Sequence, residues 1–166
     1  MSIKSVLILG IGNTLLSDEG IGVHLVNRMQ QRVGEIPGVA FLDGGTLSFT
    51  LAAPIAGADG LIVADAARMG EAPGTLRLFH DEQMDRYLNT SCSSVHEVSL
   101  GDLIDIARLS DTLPRRRCLV GIEPEALDWG EALSQTVEPA IEQGISEIVS
   151  ILVKWGVTSQ SDNSQD

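Results

Sequence analysis

A chain of 166 residues with 43% apolar content suits one domain with a sizeable core, and its two cysteines, Cys92 and Cys118, offer neither a disulfide framework nor CxxC spacing. The net charge of −12 opposes binding to nucleic acid, because affinity for a phosphate backbone comes from clustered Lys and Arg. No apolar stretch approaches the ~20 residues that span a bilayer, and the apolar run in MSIKSVLILG is too short for a signal-peptide core, so a soluble cytoplasmic protein without a membrane partner is expected.

Residues 3–9 read as a buried strand by their apolar continuity and the glycine that follows. From Glu19 to Val33 the apolar positions Ile21, Leu25, Met29 and Val33 recur every four residues, which predicts a helix ended by Gly34 and Pro37. A second strand covers Val39 to Leu42 and stops at Asp43-Gly44-Gly45-Thr46; a helix follows from Leu47 to Ala56. Leu61 to Ala64 is a third strand ending at Asp65. Thr75 to Phe79 alternates in period two, as a half-exposed edge strand does, and Asp81 to Leu88 forms a short helix. Ser99 is the expected N-cap of a helix reaching Leu109. Arg115-Arg116-Arg117 reads as a solvated lead-in to the fifth strand, Cys118 to Ile122, with contact to an acidic partner as the other reading. The last helix runs from about Ser134 to Lys154. Residues 158–166 are a polar tail after a single domain over 1–157.

Strands alternating with helices predict a three-layer α/β/α domain with a mostly parallel five-stranded sheet and one antiparallel edge strand. The glycine-rich turn after strand one invites a dinucleotide reading. Gly10 and Gly12 fit the G-x-G-x-x-G fingerprint, but its third glycine position holds Leu15. Asp18 and Glu19 also stand at the helix start, where they would repel a pyrophosphate. The loop favours a cation or a neutral partner.

Ligands of open α/β sheets gather outside the carboxyl ends of the strands. Glu19 follows strand one, Asp65 ends strand three, and His96 precedes the helix that starts near Ser99. Two carboxylates and an imidazole meeting there would make a three-ligand metal set with open positions. Spacing alone leaves other readings open: Glu19 as a helix-start acid, Asp65 as a turn former, His96 as a polar loop residue. His24 and His80 read as structural, one beside an apolar helical stripe and one at the end of an edge strand.

Taken together, the stretch Gly10-Ile11-Gly12-Asn13-Thr14-Leu15-Leu16-Ser17-Asp18-Glu19-Gly20-Ile21-Gly22 resembles the opening signature of the maturation endopeptidases of nickel–iron hydrogenases. Asp43-Gly44-Gly45-Thr46 resembles that family's second motif; Ala64-Asp65-Ala66, His96 and Gly121-Ile122-Glu123-Pro124-Glu125 follow in the family's order, so the resemblance covers about residues 3–155. It implies a cytoplasmic endopeptidase that removes a short C-terminal peptide from the nickel-loaded precursor of a hydrogenase large subunit. The metal-contacting positions fall on Glu19, Asp65 and His96, which are also the catalytic candidates; Asp43, Gly44, Gly45 and Thr46 fall on the substrate-recognition motif. The implied nickel is the one the precursor carries. A thiol protease built on Cys92 and His96 has no supporting signature, and the rival from another class is a nonenzymatic α/β module that binds a nucleotide or the precursor. Oligomeric state stays open, with a monomer as the working expectation.

Overall fold

The computed structural model of the protein describes residues 2–90 and 98–157. Five strands, β1 (Val6–Ile11), β2 (Val39–Gly45), β3 (Gly60–Ala66), β4 (Leu76–His80) and β5 (Arg116–Ile122), form one sheet in the order β2-β1-β3-β5-β4. All pairings are parallel except that of β4, which runs antiparallel to β5 at the edge. The helices are α1 (Ile21–Val33), α2 (Ala52–Ala56), α3 (Glu82–Thr90), α4 (Leu100–Leu109) and α5 (Glu138–Lys154). The three-layer α/β/α expectation and the antiparallel edge strand are both found.

The central strands are apolar on both faces because both faces are covered. Ile8, Ile62 and Val120 point into a core closed by α1 and α5, with Leu25, Met29, Ile141 and Ile148. Their neighbours Leu7, Leu9, Leu61, Val63 and Leu119 point into a second core with Ile55, Met84, Leu103 and Ile104 of α2, α3 and α4. The single-residue alternation of side chains along each strand thus sorts the same apolar run into two cores. Arg28 with Glu138, and Arg32 with both oxygens of Glu142, tie α1 to α5. No helix among the described residues is long and apolar enough to cross a membrane.

Several boundaries differ from the sequence reading. β1 begins later than the apolar run: Ile3 is buried in the core, while the Lys4 and Ser5 amides donate to Asp59 Oδ2 at 3.0 and 3.2 Å rather than to a strand. The helix expected from Glu19 starts instead as a 3-10 turn, Ser17–Gly20, before α1. The helix expected over Leu47 to Ala56 is a 3-10 turn, Phe49–Leu51, followed by the five residues of α2. Ser99 caps α4 as expected, its Oγ accepting the Asp102 amide while Asp102 accepts the Ser99 amide.

In the basic cluster Arg115 and Arg116 are exposed, as a solvated lead-in requires, and Arg117 departs from that reading. Arg117 is buried, and its guanidinium donates to both oxygens of Asp85, Nε at 2.8 Å and Nη2 at 2.5 Å. Arg116 meets Asp81 at 3.2 Å and lies 5.5 Å above the Trp155 ring, and Arg115 reaches Asp59 at 3.7 Å. These three cations tether β5 to α3, to α5 and to the loop before β3.

Helix α1 crosses the sheet where only glycine fits. A Cβ on Gly22 would lie 2.0 Å from the Ala64 carbonyl oxygen and 2.4 Å from that of Ile11, so the helix backbone rests directly on the ends of β1 and β3. Gly22→Ala is therefore expected to cost about 3 kcal/mol, the upper part of the usual range for overpacking. Gly34→Ala has nothing within 4 Å of the added carbon, so its cost of about 1–3 kcal/mol should come from backbone strain alone, at φ of +68° and ψ of −149°. Urea denaturation of the two variants checks both costs.

Candidate active site

β1 lies between β2 and β3, so the chain leaves it to one side and returns on the other. The crevice of a doubly wound sheet opens at that reversal, beyond the carboxyl ends of the strands. There a cleft of about 830 Å³ is lined by Gly12, Asn13, Leu16 and Glu19 from the first loop, Gly45 to Phe49 after β2, Asp65, Ala66 and Arg68 after β3, and Val98, Pro124 and Leu127.

Glu19 is delivered by tight backbone contact. Gly12, at φ of +138°, packs so closely that a Cβ on it would sit 1.9 Å from the Glu19 carbonyl oxygen. The loop amides that might cradle a phosphate are already engaged. Gly12 N donates to Gly45 O, Leu15 N to Asn13 Oδ1, Leu16 N to Asn13 O, Ser17 N to Gly130 O, Asp18 N to Ala126 O and Glu19 N to Leu16 O. The glycines serve chain approach and these six amides serve the fold, which leaves a phosphate few donors in this loop.

The neighbouring acid has a different task. Asp18 is fully buried, and its carboxylate accepts four hydrogen bonds: Ser134 N on Oδ1 at 2.8 Å, and Glu125 N, Ala126 N and Ser134 Oγ on Oδ2 at 2.9, 2.9 and 2.8 Å. Burial pushes its pKa up, but these donors outweigh that and hold it below the usual carboxylate range. Asp18 thereby pins residues 125–134, which carry one wall of the cleft, against the turn bearing Glu19.

Asp65 ends β3 half-buried on the cleft. Burial pushes its pKa up to about 8; the Ala66 amide works against the shift and the nearby negative charge of Glu19 adds to it. Glu19 and Asp65 thus share one cleft and feel each other electrostatically. His96 lies outside the described residues, although Val98, two positions on, lines the cleft. Among the described residues no three His, Cys, Asp or Glu side chains gather at metal-holding distance. Of the glycine motif, Gly45 and Thr46 line the cleft and Asp43 and Gly44 do not. Asp43 Oδ1 accepts the Gly45 amide at 2.9 Å, shaping the turn, and a Cβ on Gly44 would come 2.8 Å from Leu9 Cδ1. Cys92 also lies outside the described residues, and Cys118 is buried with its thiol pushed up to about 12 by desolvation, beyond use as a nucleophile.

Sequence reasoning missed Asp18 as a latch, Arg68 on the cleft, and the wall carried by Pro124 and Leu127. Asp18 adjoins Glu19 and reads like any helix-start acid, and its partners lie more than 100 residues away. What remains is a doubly wound α/β domain with an acid-bearing cleft at its switch point. The comparisons with known proteins make the class specific. The HycI family model, hydrogenase maturation protease, matches residues 23–151. The hydrogenase 2 maturation protease of Escherichia coli K12 is 38% identical over 153 residues, 92% of this chain and 93% of that protein. The hydrogenase expression/formation protein HoxM of Azotobacter vinelandii is 36% identical over 160 residues, 96% of this chain and 77% of that one. The solved structure of the hydrogenase maturating endopeptidase HybD from E. coli aligns with a TM-score of 0.84 at 36% identity, covering 92% and 94% of the two chains. The chain belongs to the hydrogenase maturation protease family.

Two pH dependences follow from opposite shifts. Asp18 has a lowered folded pKa, so its stabilisation is present above its unfolded value near 3.8 and is lost as pH falls through the folded value. Asp18→Asn should cost about 2–3 kcal/mol at pH 7, with the gap to the parent closing in acid. Asp65 has a raised folded pKa, so the parent chain loses stability as pH rises from near 3.8 to about 8. Asp65→Asn should therefore be more stable than the parent at pH 8, by on the order of 2–4 kcal/mol, and equal to it near pH 4. Urea midpoints measured against pH in the presence of a chelator read both.

Proposed function

We propose that this protease is an endopeptidase that removes a short C-terminal peptide from the nickel-loaded precursor of a nickel–iron hydrogenase large subunit, in the cytoplasm. The observation that carries the reading is the pairing of Glu19 with Asp65 in one open cleft at the switch point. A buried carboxylate with a second carboxylate beside it is relieved by a cation, and oxygen donors with an added imidazole suit nickel. The chemistry of the donor set therefore fits a nickel ion brought in by the substrate, with Glu19 and Asp65 facing it and His96 as the third ligand.

The scissile bond lies across the cleft, beside Gly45 and Thr46, where the absence of a Cβ at Gly45 lets a peptide backbone approach. The nickel ion supplies polarisation of a carbonyl or activation of water. Asp65 takes a proton from the attacking water as its oxygen adds to the carbonyl carbon. The C–N bond then breaks, and the proton passes to the departing amine. Its raised pKa suits a group that must take up and release a proton near neutral pH. The nearly complete dependence of such a site on an incoming cation makes cleavage conditional on nickel insertion.

A gel mobility assay on nickel-loaded and nickel-free precursor tests this: cleavage is expected of the loaded form alone. Glu19→Gln, Asp65→Asn and His96→Ala should each slow processing by roughly 10²–10⁴-fold with the fold intact by circular dichroism. Normal processing by all three variants would end the assignment. Cys92→Ser should process at the parent rate.

A further inference from the structure

Among the described residues, the large apolar side chains that stand well exposed are Leu15, Phe49, Leu109, Trp129 and Val149. Single exposed apolar residues are ordinary, but a cluster beside a functional cleft is not. Of these five, Phe49 lines the cleft, Leu15 stands between the cleft-lining Asn13 and Leu16, and Trp129 is two residues past the cleft-lining Leu127. Phe49 follows β2 and is 62% exposed, while Leu15 and Trp129 stand together on the first loop and on the turn pinned to it.

Trp129 is 83% exposed, yet its backbone is held on both sides. Ser17 Oγ donates to Asp128 O at 2.8 Å, Ser17 N donates to Gly130 O at 2.7 Å, and Gly130 N donates to Leu15 O at 2.8 Å. The four bonds to Asp18 hold the preceding and following segments. An indole presented to water on a turn fixed this firmly is displayed by the fold, and fraying does not account for it. Trp is also the residue type most prone to dominate a protein interface, since it gives a large rigid contact area at low entropic cost.

We infer that Leu15, Phe49 and Trp129 form an apolar docking rim for the protein substrate, with Trp129 as its anchor. The inference rests on the processing reading above and adds the surface that reading lacks. The occupant is the apolar surface of the precursor next to its C-terminal segment. The rim flanks the open cleft that the scissile strand must enter, so a precursor strand in the cleft brings its own protein body against both lips. A second copy of this chain seated there would close the cleft to substrate. The rim also shares a rigid frame with the reactive groups: Ser17, which clamps the Trp129 turn, is two residues from Glu19. Remote contact energy can therefore be spent on register at the scissile bond.

The test uses enzyme carrying 5-fluorotryptophan, whose two indoles, Trp129 and the buried Trp155, give two fluorine resonances. The Trp129 signal is the one missing from Trp129→Ala. Adding unlabelled nickel-loaded precursor should shift or broaden that resonance and leave Trp155 unchanged. In steady-state assays Trp129→Ala should raise KM roughly 10- to 100-fold while kcat changes less than about threefold, and Trp129→Phe should recover most of the loss. Leu109→Ala, equally exposed but at the far end of the sheet, should match the parent. Product formation with an unmoved Trp129 resonance and a parent-like KM in Trp129→Ala overturns the docking rim. A moved resonance without product upholds the rim and overturns the processing reading. Neither binding nor product overturns both.

Discussion

A carboxylate withdrawn from water is costly unless donors surround it, and Asp18 is withdrawn completely. Three backbone amides and one hydroxyl close around it, and they come from a segment more than 100 residues further along the chain. The consequences reach three parts of the fold. The turn before α1 is fixed, so Glu19 has a defined place. Residues 125–134 are folded back as a wall of the cleft. Ser134, bonded to Asp18 through both amide and hydroxyl, accepts the amides of Val137 and Glu138 and so sets where α5 begins. One buried charge thus coordinates the entry of two helices with the shape of the site between them.

The second constraint is steric. Gly10 and Gly12 let the end of β1 and the first loop touch the backbone of Gly22 and Glu19 with no side chain between. Those two glycines are what resembles a dinucleotide motif in the sequence. The same glycines that would let a pyrophosphate approach here let one backbone approach another, and most of the loop's amides are engaged in the process. A glycine-rich turn after a first strand therefore specifies close approach. Whether the approaching group is a phosphate depends on whether any amide is left to donate.

Much of the fold was legible because its signals are local. Apolar runs ending at Gly or Asp marked the first three strands, period-two alternation marked the fourth, the four-residue recurrence of Ile21, Leu25 and Met29 marked α1, and Ser99 announced α4 as its N-cap. Glu19 and Asp65 could be named because strand ends are where such sheets bind ligands. Element boundaries slipped locally, at the 3-10 turns before α1 and α2, and the larger failures were at long range. Nothing near Asp18 distinguishes it from Glu19, since its partners are distant in sequence. Arg117 read as solvent-facing because Asp85, the carboxylate that receives it, belongs to another element. Within the glycine motif, local sequence could not separate Gly45 and Thr46, which face the cleft, from Asp43 and Gly44, which shape and pack the turn.

The cleft combines a rigid frame with an electrostatic deficit. The glycine contacts and the Asp18 cluster hold the backbone beneath Glu19. Asp65 is pushed up to about 8, chiefly by burial and further by Glu19. A cation beside the two carboxylates would offset that cost, because it is the negative charge that burial and the neighbouring acid penalise. On the proposed reading the precursor's nickel would bring the charge that the cleft lacks, and the bond to be cut would arrive with it.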